Sequence, residues 1–256
     1  MFNSKVFFDA VRGSLFSGRM TDQQVAGMEF DLDHWTKNHD GRDLRHLAYC
    51  MGTEYWEVGG RMWPVREGFK ETDAAARKYV KDQGYAYAKV DPVTGQVYYG
   101  RGKIQITWGE NYRKSSDRLG LTGTDKDLYL NPDMALDLEI ATINLMRGMI
   151  EGWYRKDTKG LQTLDRYFNT TTDDPYTARE IVNGDKSKVP GWTNGVSIGK
   201  MIAGYHDKFL SALRESYREP VPPEPPVAPE FVTHYFTLKV VVPAGVTPTV
   251  TVEPIG

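Results

Sequence analysis

Between Glu219 and Glu230 the chain reads EPVPPEPPVAPE, six prolines in twelve residues. Each proline fixes its own φ and removes an amide donor, so the stretch suits neither a helix interior nor a sheet ladder. What remains is a stiff, extended spacer. It cuts the sequence into a first domain at 1–218, a linker at 219–230 and a short tail at 231–256. In the tail, HYFTLKVVVP and TPTVTVEP are rich in β-branched and aromatic residues, with PAGV between them as a turn. Two short strands are marginal alone, so the tail is expected to pair or pack, as an oligomerisation or attachment element.

The first domain has enough chain for an ordinary buried core. Apolar residues at 40% and charged residues at 26% describe a soluble globular protein. The net charge is −2, and Lys239 against Glu219, Glu224, Glu230 and Glu253 leaves −3 after Arg218, so the first domain carries +1. Neither part has the basic footprint of a nucleic-acid partner. The single cysteine, Cys50, lies in the apolar run LAYCMG and reads as a small core residue, with no intramolecular disulfide to form and a reducing compartment of synthesis. Asp9 and Arg12 interrupt the only apolar stretch at the N-terminus, and no small-residue cleavage site follows, which argues against a signal peptide. No run approaches the roughly 20 apolar residues that span a bilayer, so stable membrane insertion is not expected.

Periodicity makes the first domain mainly α. Leu44, Leu47, Ala48, Met51 and Tyr55 recur at helical spacing, as do Ile140, Ile143, Met146, Met149, Ile150 and Trp153. Further helices are predicted near residues 5–15, 72–83, 175–182 and 196–217. The exception is YAYAKVDPVTGQVYYG, residues 85–100, where two alternating runs flank a turn by composition and predict a β-hairpin. The hairpin leads into GRGKIQIT, whose alternation places Ile104 and Ile106 on one face of an extended segment and Gln105 and Thr107 on the other.

Two carboxylates stand out. Glu57 ends the helical run TEYWE just before Gly59-Gly60, and Glu67 follows on a loop after Pro64. A helix-end acid and a loop acid can face each other across a cleft, and hydrolysis of a glycosidic bond needs such a pair. Glu54 and Glu71 compete with them, and surface ion pairing accounts for either. Other chemistries lack their parts. Gly100-x-Gly102 has no third glycine for a dinucleotide, and Gly102-Lys103 is followed by Ile104 where a phosphate loop needs Ser or Thr. His34 and His39 have no HExxH or cysteine partner, so they read as exposed or capping residues and no metal is expected.

LAYCMGTEYWEVGGRMWPVRE followed by YYGRGKIQITWGENY resembles glycoside hydrolase family 19, with its chitinase-like fold, in the form carried by bacteriophage endolysins and related bacterial enzymes. LYLNPDMALDLEIA, RGMIEGWY, EIVNGD and the opening FFDAVRGSLFSGRMTDQQVAGM add to the likeness, which covers nearly all of residues 2–215 and excludes the tail. The resemblance implies a mainly α domain of the lysozyme-like and chitinase-like superfamily, with a small hairpin at the cleft and no cofactor. It puts the general acid at Glu57, the second carboxylate at Glu67, and the residue that helps hold the attacking water at Thr107. Gln105, Asn111 and Asn183 fall on cleft-lining positions, and Arg101 and Tyr112 of the same element are expected at the substrate. The family's HET reads Trp56-Glu57-Val58 here, so the flanking imidazole and hydroxyl are absent. An apolar setting of Tyr55, Trp56 and Met62 is expected to keep Glu57 protonated.

The implied reaction is inverting hydrolysis of peptidoglycan glycan strands, between N-acetylmuramic acid and N-acetylglucosamine, with the carboxyl groups about 6.5 to 9.5 Å apart. Chitin, and a wall-glycan-binding protein with a weakened cleft, are the alternatives. An endolysin without a signal peptide would be made in the bacterial host cytoplasm and reach the wall through a holin lesion or on a phage particle.

Overall fold

A computed structural model describes residues 1–217, 239–249 and 251, and the chain divides into two units, Met1–Glu219 and Pro220–Gly256. The first unit is mainly α. In chain order its elements are α1 (Ser4–Leu15), α2 (Asp22–His39), α3 (Leu44–Glu57), β1 (Val65–Arg66), α4 (Asp73–Asp82), β2 (Arg101–Gly102), α5 (Gly109–Leu119), α6 (Leu138–Ile150), β3 (Lys156–Asp157), β4 (Gly160–Leu161), α7 (Leu164–Tyr167) and α8 (Ile198–Ser216). No helix among the described residues is long and apolar enough to cross a membrane.

The centre is α3, buried continuously from His46 to Glu54. It lies so close to α8 at Gly52 that a Cβ there would meet the His206 backbone nitrogen at 2.9 Å. A residue without a side chain is what permits the approach. Helix α1 also packs on α8 and brings the N-terminus back to the end of the unit, where the Asn3 N–H reaches the Ser216 carbonyl at 2.8 Å. Phe7, Trp35, Leu47, Tyr49, Met146 and Phe209 fill the space between these helices.

The periodic stripes and most helix ends match the sequence reading, but two helices of more than one turn, besides the single turn of α7, escape it. Helix α2 begins with a capping box: the Gln24 N–H reaches Thr21 Oγ1 at 3.2 Å, and the Thr21 N–H returns to Gln24 Oε1 at 2.8 Å. Thr-x-x-Gln is the signal that would have found it. Helix α5 is the other, and it opens directly after the cleft-forming turn. The stretch predicted as a helix at 175–182 is a short 3-10 segment, Thr177–Ile181.

The predicted hairpin at 85–100 does not form. Its turn is present, with Asp91 Oδ1 accepting the Val93 and Thr94 amides at 3.0 and 2.9 Å. Its flanks do not pair as strands, because Val97 and Tyr99 pack beneath α4 while Tyr98 stacks on Tyr129. The antiparallel pairs among the described residues are instead β1 with β2, in register Val65 to Gly102 and Arg66 to Arg101, and β3 with β4. Nor is IQIT extended. The chain reverses over Gly102–Gln105 so that Ile106 bridges back to Arg101. Ile104 and Ile106 are still buried and Gln105 and Thr107 half-buried, but all four line the same cleft.

In the second unit, residues 239–249 hold a turn in which the Val246 N–H reaches the Pro243 carbonyl at 3.3 Å, and no strand. The tail strands are thus absent where they overlap these residues. Their remainder and the proline-rich linker lie outside the described residues.

Candidate active site

Helix α3 stops at Glu57 because the next residues leave helical space: Gly59 and Gly60 have φ of 57° and 73°, and the Gly60 N–H closes on the Tyr55 carbonyl at 2.7 Å. Glu57 is thereby left on the wall of a cleft of about 520 Å³. Glu67, in the loop after β1, lines the same cleft, as do Gln105, Thr107, Asn111 and Asn183. Residues spread over more than half of the first domain thus converge on one cavity.

Glu67 is fixed at both oxygens. The Tyr87 hydroxyl donates to Oε1 at 2.5 Å and the Gly100 N–H to Oε2 at 2.8 Å. The Glu67 N–H in turn reaches the Gly100 carbonyl at 2.8 Å. Gly100 leaves no room for a side chain, since a Cβ would lie 2.8 Å from Gln105 Oε1 and 3.3 Å from Glu67 Oε2. Gly102 is needed for a different reason: its φ is +83°, and a Cβ would strike the Ala135 carbonyl at 2.7 Å. Partial burial, followed by the bond to Glu67, pushes the Tyr87 phenol up, so it stays a donor.

The turn that carries Thr107 is held from within. Gln105 Nε2 donates to the Val65 and Gly102 carbonyls at 3.0 and 2.9 Å, Thr107 Oγ1 to the Gln105 carbonyl at 2.9 Å, and Asn111 Nδ2 to the Thr107 carbonyl at 2.8 Å. Among the described residues nothing donates to Thr107 Oγ1 or Asn111 Oδ1, so both oxygens are open to a ligand. Gln105 and Trp108 adopt φ of 51° and 73°, values that are unusual for non-glycine residues and costly for a tryptophan.

Glu57 does not sit in the expected apolar setting. The Tyr55 hydroxyl donates to the Leu15 carbonyl, the Trp56 ring stacks on Trp192 at 5.5 Å, and the group bonded to Glu57 is the Arg179 guanidinium, at 2.5 Å. Arg179 is almost fully buried and also donates to both oxygens of Asp185, at 2.7 and 3.2 Å. Burial opposes its charge, but Glu57 and Asp185 outweigh that and hold its pKa above the ordinary arginine value. Composition and periodicity gave no sign of Arg179. Asp185, the last residue of EIVNGD, was a usable signal.

Arg101 and Tyr112 do not reach the cleft. Both are buried, Arg101 binding Asp73 and Asp133 at 2.9 and 2.8 Å and packing 3.5 Å above the Tyr99 ring. The Tyr112 hydroxyl donates to the Tyr99 carbonyl at 2.6 Å and accepts from Arg101 at 3.1 Å. They anchor β2 instead: the buried Arg101 guanidinium is held between two half-exposed carboxylates, a pairing that would be costly to break.

The two competing carboxylates also resolve. Glu71 is exposed and lines a different hollow, away from Glu57. Glu54 is not a surface residue: it is fully buried with Lys103 and Asp31. The Lys103 ammonium bonds Asp31 directly and lies 3.4 Å from Glu54 Oε1, while Asp31 also accepts from Thr142 at 3.2 Å. Burial first, then the charge of Asp31, raises Glu54 well above the usual carboxylate range, with Lys103 opposing them. His39 is buried and His34 half-buried, packed with Trp35 and Phe30 and not exposed as expected. No cluster among the described residues could hold a metal ion. Cys50 is a buried free thiol, and burial pushes its pKa well up.

No family model matches the chain. Over 103 residues, 39% of its length, the chain is 31% identical to inactive chitinase-like protein 1 of Hevea brasiliensis, and it spans only 31% of that curated relative. Among solved structures it is similar to a mutant of chitinase C, with TM-score 0.46 and 20% identity over 83% of this chain and 92% of that one. It is also similar to a bacterial family 19 chitinase, with TM-score 0.41 and 16% identity over 83% of this chain and 94% of that one.

Proposed function

We propose that this chain is a glycoside hydrolase that cleaves the β-1,4 bonds between N-acetylmuramic acid and N-acetylglucosamine in bacterial peptidoglycan, as a phage-type wall lysin. The observation that carries the reading is the convergence of Glu57, Glu67 and Thr107 on one cleft with the amides of Gln105, Asn111 and Asn183. In the proposed reaction Glu57 protonates the glycosidic oxygen. Glu67, held as an acceptor by Tyr87 and Gly100, takes a proton from a water that Thr107 positions on the opposite sugar face. The water oxygen bonds to the anomeric carbon as the bond to the leaving oxygen breaks, so configuration inverts. When Glu57 holds its proton, Arg179 keeps Asp185 as a charged partner and is not left buried and unpaired. The chemistry needs no metal or cofactor.

The glycan strand is the partner, without nucleic acid or membrane insertion. Release from a host cytoplasm through a holin lesion, or delivery on a particle, would bring the enzyme to the wall, with the tail as an attachment or self-association element. A binding-only role is the second reading. It is favoured by the close Glu57–Arg179 ion pair and by the name of the Hevea relative, an inactive chitinase-like protein.

Mass spectrometry of purified peptidoglycan digested with wild type and with Glu57→Gln tests the proposal. Muropeptides ending in reducing N-acetylmuramic acid, absent with the variant, are expected. An active Glu57→Gln sinks the assignment of the acid. Intact wall glycan with cleaved chitin oligomers moves the substrate to chitin, and sugar binding without turnover of either selects the binding-only role.

A further inference from the structure

Tyr87 and Trp108 line two cavities at once. One is the cleft of Glu57 and Glu67; the other is a second hollow of about 570 Å³ that shares this aromatic wall. Trp108 is 51% exposed, its ring edge-on to Tyr87 at 5.5 Å, and it holds a backbone conformation that tryptophan rarely adopts. Core packing does not explain that strain, because half of the residue is in solvent. A platform for a sugar ring passing from the cleft into the hollow does explain it.

The hollow is built differently from the cleft. Its aromatic floor is Tyr98 and Tyr129, stacked at 5.2 Å with their planes 8° apart. Arg113 lies 4.0 Å above the Tyr129 ring. Among the described residues no carboxylate or carbonyl accepts from Arg113, whereas the arginines at the back of the cleft are all spent on acids. Lys89 and Glu110 stand exposed on the same walls. Asp91 is there too, but its Oδ1 is engaged by the amides of its own loop and its Oδ2 by the Tyr129 hydroxyl at 3.4 Å. The hollow therefore offers a guanidinium, an ammonium and a carboxylate around an aromatic floor.

A neutral N-acetylhexosamine polymer can offer these groups hydroxyls and amides but no opposite charge. The short peptide on alternate sugars of a bacterial wall strand has carboxylates, amides and, in many walls, a free amine. We infer that the second hollow is a subsite for the stem peptide, with Arg113 taking a peptide carboxylate while the peptide-bearing sugar crosses Trp108. This rests on the proposed wall-glycan reading and adds to it the group that separates wall glycan from chitin.

The test compares kcat/KM on soluble peptidoglycan strands that keep their peptides with the same strands stripped by an amidase. Wild type is expected to prefer the peptide-bearing strands about tenfold, the size of one charge-assisted hydrogen bond. The ratio should fall toward one in Arg113→Ala, and Arg113→Lys should recover only part of it, since an ammonium lacks the planar fork. Equal turnover of both strands by wild type, or an unchanged ratio in Arg113→Ala, overturns the inference. If neither strand is cleaved, the hydrolase reading falls, and calorimetry with a soluble disaccharide tetrapeptide decides the subsite. A Kd raised tenfold or more by Arg113→Ala supports it; equal affinities, or no binding to wild type, overturn it.

Discussion

Replacing Lys103 by methionine should destabilise the first domain more than most single substitutions. Lys103, Asp31 and Glu54 are all fully buried, and Lys103 supplies the positive charge bonded to Asp31. Methionine keeps most of the volume of the lysine stem, so packing loss is small. What changes is the charge balance: the Asp31 carboxylate would lose its cation and keep only neutral partners, the Thr142 hydroxyl at 3.2 Å and the Glu54 carboxyl. Breaking a buried pair by removing one partner costs about 3 to 5 kcal/mol. At about 2 to 4 °C per kcal/mol for a unit of this size, that is a Tm drop of about 6 to 20 °C. Thermal and urea unfolding followed by circular dichroism read it directly. The double variant Lys103→Met with Asp31→Asn removes both charges, and most of the lost stability should return, because a neutral pair pays no desolvation penalty. A single variant within about 1 kcal/mol of wild type, well below the cost of an orphaned buried charge, or a double variant no better than the single, would refute the reasoning.

Glu54 should act on stability through pH. Its folded pKa is raised well above the usual value, so the fold binds a proton that the unfolded chain releases. Stability is then greatest below the ordinary carboxylate pKa and falls as pH rises toward the folded value. Denaturant titrations from pH 5 to 9 should show that slope, and Glu54→Gln should flatten it. His39 runs the other way. Its folded pKa is lowered to about 4 from 6.5, mainly by burial, so it favours the fold above pH 6.5 and that contribution is lost as pH falls toward 4. Imidazole NMR should place its titration near 4, and a midpoint near 6.5 would contradict the burial. Tyr87→Phe removes the phenol bond to Glu67 and should lower kcat on wall glycan about ten- to hundredfold with the fold intact, since a hydrogen bond to a charged group is at stake. Unchanged kcat would mean that Glu67 does not depend on that donor for its function.

The helices were legible where apolar residues kept a helical period, as in α3 and α6, because a stripe that must be buried fixes both element and face. Helix α2 was not, because one of its inward positions is Asp31, which reads as surface until Lys103 is known to face it. Glu54 failed for the same reason. A single charged residue carries no mark of burial; only the partner brought by another segment makes burial tolerable. The hairpin at 85–100 failed because alternation reports two faces but not what covers them, and here the partners were α4 and Tyr129 rather than the opposite strand. For the cleft, the spacing of Glu57 from Gly59 was enough to place a carboxylate at a helix end. The Arg179 contact, which crosses 122 residues of chain, had no local signal.

The turn between Arg101 and Thr107 shows how these buried charges bear on the cleft. Arg101 and Lys103 point inward, one to Asp73 and Asp133, the other to Asp31. Gln105 and Thr107 face the cavity, and Gly102, between the two cations, has the positive φ that turns the chain back. Anchored from behind by ion pairs on α2, α4 and the loop before α6, the turn does not depend on apolar packing of its cleft-facing side. The polar groups that would meet a sugar can therefore remain solvated without loosening the backbone beneath them. The strained φ of Gln105, inside that turn, persists for the same reason, because the surrounding anchors leave the chain no relaxed alternative. On this account the deep ion pairs and the exposed amides are two faces of one device: the charge buried in the core sets the geometry of a site that must stay open to water and ligand.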